Sequence, residues 1–166
     1  MESHLPEYTA ELLRHFADLR DRTHGGAVSR QDKERFFTVA VALLDPYGRQ
    51  ALTEINSQLL LGTGEVTATG MRRNPAGVDA IWALSWPEQQ AAGISPVIIR
   101  AHYGAGAHHP HLRGGTVGDW PLNVLDEKQA AAEVPTLRAI ASADLHNLVF
   151  QADYRIIPAI MNGWTP

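Results

Sequence analysis

The apolar positions of residues 1–61 recur at helical spacing. After Pro6, which suits a first helical turn, Leu12, Leu13, Phe16 and Leu19 come three and four residues apart, which predicts a helix over 6–22 ended by "THGG". A second helix is expected from Ser29, where "SRQD" has capping-box spacing with Asp32 in place of the usual Glu or Gln, through Phe36, Phe37, Val39, Ala40, Leu43 and Leu44. Asp45 and Pro46 are expected to close it. Leu52, Ile55 and Leu59 then mark a third helix that "GTG" breaks. Residues 1–61 therefore read as a three-helix antiparallel unit, a scaffold and the expected homodimer interface.

The pattern changes near residue 62. "EVTATGMRR" and "VDAIWALSW" are short, rich in β-branched and aromatic residues, and separated by the turn sequence "NPAG", while Val78, Ala80, Trp82, Leu84 and Trp86 alternate strictly. That is a β-hairpin with one apolar face. After the polar segment "PEQQAAG", the run "PVIIRAHYG" predicts a third, buried strand. Asp126 with Gln129 and Pro135 predict one or two further helices, and "NLVFQADYRIIPAI" predicts a closing strand. The expected fold is α+β in one domain over 1–166, with a mostly antiparallel sheet in 62–166.

Composition excludes several chemistries. There is no cysteine, so disulfides, zinc-thiolate fingers and thiol nucleophiles are ruled out, and any metal must be held by nitrogen and oxygen. A net charge of −4 with scattered basic residues gives no footprint for nucleic acid. The apolar runs are too short to span a membrane and "MESHLPEYTAELL" is unlike a secretory signal, so a cytoplasmic protein is expected.

Chemistry concentrates in "HYGAGAHHPHLRGGTVGDW", residues 102–120, which holds four of the eight histidines in ten positions. Pro110 biases His109 to extended backbone, and in extended chain positions i and i+2 point the same way, so His109 and His111 can face one point. Imidazole is the commonest metal ligand, and His102 or His146 could complete a three-nitrogen site. His108, Asp119 and Glu65 are candidate proton-transfer groups. Arg113, Trp120 and Tyr103 are candidate substrate contacts, Trp120 as an aromatic wall beside the loop.

"GAHHPHLRGG" resembles the first metal motif of the cupins, in which a His-x-His pair on a strand is followed by a glutamate and, much later, by a third histidine. The resemblance implies a metal on His109, His111 and His146. It departs from the cupin pattern in lacking the glutamate after His111 and in the helical reading of residues 126–141.

The expected function is a small enzyme using a divalent transition metal (Fe, Zn, Mn, Cu or Ni) on a small organic substrate, as lyase, hydrolase or dioxygenase. Haem is a further candidate cofactor, without an attachment motif. The alternatives are a metal-free pair of His108 or His109 with Asp119, and a non-catalytic dimeric module whose loop recognises a partner.

Overall fold

The computed structural model describes residues 4–166, an α+β arrangement of helices followed by a six-stranded antiparallel sheet. Helices α1 (Glu7–Asp21) and α2 (Arg30–Gln58) come first, and β1 (Glu65–Ala68), β2 (Arg72–Asn74) and β3 (Gly77–Ser85) follow. Then come α3 (Pro87–Ala91), β4 (Val97–Gly104), β5 (His111–Gly114) and β6 (Trp120–Pro121), and last α4 (Glu127–Ala132), α5 (Val134–Gln151), a 3₁₀ turn (Tyr154–Ile156) and α6 (Pro158–Met161). The sheet order is β1-β3-β4-β5-β6, with β2 also paired to β3. It is an open sheet, not a cupin barrel.

Helix α2 runs 29 residues straight through Pro46, where a break between two helices was expected. Proline removes one helical hydrogen bond. Burial outweighs that loss, because Phe37, Ala40, Val41 and Leu44 before it and Ala51, Leu52 and Ile55 after it share one apolar core. Asp45 caps nothing; it accepts a hydrogen bond from Trp82 Nε1 at 2.9 Å. The helix lies so close to the sheet that a Cβ on Gly48 would stand 3.0 Å from the Trp82 ring.

The expected caps do form at the other helices. Ser29 accepts from the Asp32 amide and Asp126 from the Gln129 amide. "NPAG" is the expected turn, with Asn74 Oδ1 accepting from Ala76 N, but the strand before it is split into β1 and β2 at Thr69–Met71. The closing strand expected at 147–160 is absent. Leu148 lies on α5, which continues to Gln151, and Ile156 is held in the 3₁₀ turn, where its carbonyl accepts from Trp86 Nε1 at 2.7 Å. Short apolar runs suit a strand or a buried helix equally, and here the α2–α5 contact decides for helix.

Alternation along the strands divides the sheet into two faces. Val78, Ala80, Trp82 and Leu84 of β3, Val97, Ile99, Ala101 and Tyr103 of β4, and Leu112 of β5 are buried in the core with α2 and α5. The intervening residues Asp79, Ile81, Arg100, His102, His111 and Arg113 share the opposite face. No helix among the described residues is long and apolar enough to cross a membrane.

Helix α1 is docked the reverse of its expected way. Its apolar residues Tyr8, Leu12, Leu13, Phe16 and Leu19 are exposed, while His15 is buried. The inward side carries His15 with the charged residues Glu11, Arg14 and Asp18. Arg14 Nε donates to Asn123 Oδ1 at 2.7 Å, Asn123 Nδ2 donates to Asp18 Oδ2 at 3.2 Å, and the Asn123 amide donates to Glu11 at 3.3 Å. Asn123 itself is wholly buried, so these bonds satisfy a polar group that would otherwise cost stability.

Candidate functional site: a row of histidines

Docking of α1 brings His15 against the sequence-predicted histidines. The His15 and His109 rings meet edge to face with centroids 4.7 Å apart, and His109 meets His111 in the same way at 4.6 Å. His111 in turn stacks on His102 at 5.5 Å, its directly paired partner across β4 and β5. Four imidazoles thus form a continuous row from helix to sheet. His24, in the turn after α1, joins from the side with its Nδ1 3.8 Å from Asp18.

The row is poor in hydrogen bonds. Both nitrogens of His15, Nδ1 of His24, Nε2 of His102 and Nδ1 of His109 are buried without a hydrogen-bond partner among the described residues. Buried polar groups are nearly always paired, so five such nitrogens in one cluster call for a physical explanation. Burial, and then the nearby His109 and His24, push the His15 imidazolium down to about 4. Burial, and then His111 and His24, push His109 to about 4 as well. Burial also lowers His24 and His102, against the opposing pull of Asp18 and Asp119. These rings are therefore neutral at pH 7, with ring-nitrogen lone pairs free to bind.

Asp119 stands at the outer end of the row. Its Oδ1 is 3.7 Å from His102 Nε2 and 3.8 Å from Arg113 Nη1. The loop carrying it is anchored by the buried Asp144 of α5, which accepts from the Thr116 amide at 2.7 Å, from Thr116 Oγ1 at 2.6 Å and from the Ile98 amide at 3.0 Å. The imidazole that stands near Asp119 is thus that of His102, where His108 or His109 was expected. Trp120, on β6, is partly buried against the core beside Leu112.

Other predicted site residues lie elsewhere. His108 is exposed in the loop, its carbonyl accepting from Tyr103 Oη at 3.4 Å. Tyr103 is on the core face of β4, edge-on to Phe37 with the Arg30 guanidinium 3.5 Å over its ring, so it does not reach a substrate at the histidines. Glu65 is exposed on β1, with β3 and β4 between it and β5. His146 lies on helix α5, not at a strand start, and stacks on Phe150 at 4.4 Å; it lines an apolar groove with Ile55 and Leu59 and does not join the row. Arg72, whose side chain is 49% exposed, donates to Asp79 at 2.6 Å.

His15 and His24 were missed by the sequence reading. The usable signal was slight: His15 falls three residues after Leu12 and four before Leu19, inside an apparent core stripe, and His24 sits in a helix-ending "THGG". A cleft of about 460 Å³ lies behind this turn, lined by Gly25, Gly26, Ala27, Asp32, Arg35, Phe36 and Val39, and Phe36 meets the His24 ring edge-on.

No group of three or more His, Asp or Glu side chains among the described residues already converges on a common point as metal ligands would. The rings pack along a row instead. No family model matches the chain, and neither a curated protein nor a solved structure matches it.

Proposed function

We propose that the chain is a small cytoplasmic enzyme whose half-buried histidine row takes up a divalent transition metal (iron, zinc, manganese, copper or nickel) and that it acts on a small organic molecule. One observation carries this reading: five imidazole nitrogens are buried without a hydrogen-bond partner in a single cluster. His15, His109 and His111 are the primary ligands. Two imidazoles bound to one ion at about 2 Å have ring centroids roughly 5 Å apart, close to the spacings in this row. Convergence requires the rings to turn about their side-chain bonds. The donor set, neutral nitrogen without thiolate, suits those metals and not a soft-metal or calcium site.

A metal there supplies a Lewis acid or an activated water, for lyase, hydrolase or oxygenase chemistry. Asp119 beside His102 handles protons at the open end. Arg113, on the same face as His102 and His111, contacts the substrate. A metal-free acid–base pair of His102 and Asp119 is the second reading, favoured by their 3.7 Å approach. The same reading has two copies pair through the exposed apolar side of α1.

The test is elemental analysis of untagged protein never exposed to chelator, with zinc and nickel titrations of the stripped protein. Near-stoichiometric metal or sub-micromolar binding is expected, lost in His15→Ala and in His109→Ala/His111→Ala. Protein that carries no metal and takes up neither ion overturns the metal site and leaves the His102–Asp119 pair.

A further inference from the structure

We infer that the open face of the sheet beside the histidine row binds a small doubly charged oxyanion, a dicarboxylate or a phosphate, between Arg100 and Arg113. This deepens the proposed function by naming a substrate class, but it does not depend on the metal.

The reason is an excess of cationic groups on this face, where the three guanidiniums of Arg72, Arg100 and Arg113 stand against the two carboxylates of Asp79 and Asp119. Arg100 and Arg113 are direct cross-strand partners on β4 and β5, and His102 and His111 are the next pair on the same face. Side chains so paired start with Cβ atoms about 5 Å apart, and like charges directly opposite are destabilising. A chain keeps such a pair at a cost unless a counter-charge lies between.

The carboxylates near this block supply it only in part. Asp79 is already shared: Arg72 takes it through Nε at 2.6 Å and Nη2 at 3.3 Å, and Arg100 through Nε at 3.1 Å and Nη2 at 3.0 Å. Asp119 is 3.8 Å from Arg113 and 3.7 Å from His102, beyond hydrogen-bond reach of both. The hydrogen bond Arg113 makes is from Nε to the carbonyl of its neighbour Gly114, at 3.1 Å. Its two terminal nitrogens make no hydrogen bond among the described residues, and Nη1 has only the loose ion pair with Asp119 at 3.8 Å. A planar guanidinium with that edge free presents the geometry that grips a carboxylate or phosphate with two parallel bonds.

Access and rigidity fit the same conclusion. The side chains of Arg100, Arg113 and His102 are 33%, 39% and 23% exposed, so a solute reaches them without unfolding anything. The strands below are fixed by the core, and Gly118 brings the β5–β6 loop so close that a Cβ there would stand 2.9 Å from Arg113 Cβ, holding that side chain over the face.

The experiment is titration of the chelator-stripped full chain with inorganic phosphate and, separately, with succinate, followed by nuclear magnetic resonance of the arginine Nε–H and backbone amide signals. Sodium chloride at matched ionic strength is the control. Saturable shifts centred on Arg100, His102 and Arg113 are expected, with at least tenfold weaker binding in Arg113→Gln and intermediate binding in Arg113→Lys. The half-exposed position of Arg113 lets these variants fold, and their dispersed spectra verify it. Tighter phosphate than succinate assigns a phosphorylated substrate, and the reverse an organic diacid. Shifts that never saturate, match those of chloride, or are unchanged in Arg113→Gln overturn the inference. Because the protein is stripped, failure of the metal reading leaves this result untouched.

Discussion

The imidazole of His15 on the first helix meets that of His109, just before β5, edge to face at 4.7 Å with their planes at 84°. Neither nitrogen of His15 has a hydrogen-bond partner. A helix that docks through such a contact, with leucines turned outward, ties its position to the protonation and ligation of the row.

The first consequence is acid sensitivity. His15 and His109 each titrate near 4 in the folded chain, below the 6.5 of an unhindered histidine. The unfolded chain binds protons first as pH falls, so their contribution is complete above 6.5 and is lost between about 6.5 and 4. Each shift is worth up to about 3 kcal/mol if fully realised. Urea unfolding from pH 7 to 4 is expected to show stability falling over this window, with a shallower fall in His15→Leu. A pH-independent midpoint would contradict the buried, neutral state of the row.

Replacing His15 by leucine also separates the metal-free from the metal-bound protein. Without metal, two unsatisfied buried nitrogens are removed, and a gain of about 1–3 kcal/mol is expected at pH 7. With metal saturating the wild type, the order reverses, because ligand binding to the folded state stabilises it and the variant has lost a ligand. Melting temperatures with and without added zinc read both signs. Identical rankings under the two conditions would remove His15 from the metal site.

A second titratable contact holds α1 and has the opposite slope. Glu133 is buried opposite Glu11, and burial followed by the Glu11 charge pushes its carboxyl up to about 9 from 4.5. The folded chain therefore keeps a proton that the unfolded chain releases, so this contribution is present below 4.5 and is lost as pH rises through 9. Glu133→Gln keeps the shape and carries no charge to bury. It is expected to stabilise the protein at pH 8 by about 1–2 kcal/mol and much less at pH 5. Equal effects at both pH values would show that the pair carries no shared proton.

The exposed side of α1 predicts an oligomer. Leu12, Leu13, Phe16 and Leu19 are 41%, 51%, 59% and 71% exposed on one short helix, an apolar surface of the kind that marks an interface. Light scattering is expected to give twice the 18.2 kDa chain mass, and the double variant Leu12→Glu, Phe16→Glu the single mass with the fold retained. A monomeric wild type at high micromolar concentration would leave this face without a second copy.

How far the fold and site were legible depended on the range of the interactions. The β3–β4 pairing and both Ser29 and Asp126 caps follow from residues close in sequence or from strict alternation, and they were readable. Pro46 was misleading because its local cost is set against burial by residues on both sides, which only the packed helix reveals. The segment 147–160 was misleading because a short apolar run does not encode its own period. Tyr103 and His102 are neighbours in sequence on opposite faces, so the histidine loop could be found while the direction of each side chain could not.

What the sequence determined by itself was the class of fold, the absence of thiol chemistry, and the concentration of imidazole in residues 102–111, because each of these is a property of composition or of local periodicity. Tertiary structure decided which histidines act together. The rings of His109 and His111 meet edge to face, but His15 joins them only because α1 docks by its polar side, and His146 stays apart because residues 134–151 are helical. Both outcomes rest on contacts between distant segments, where burial and charge outweigh local pattern.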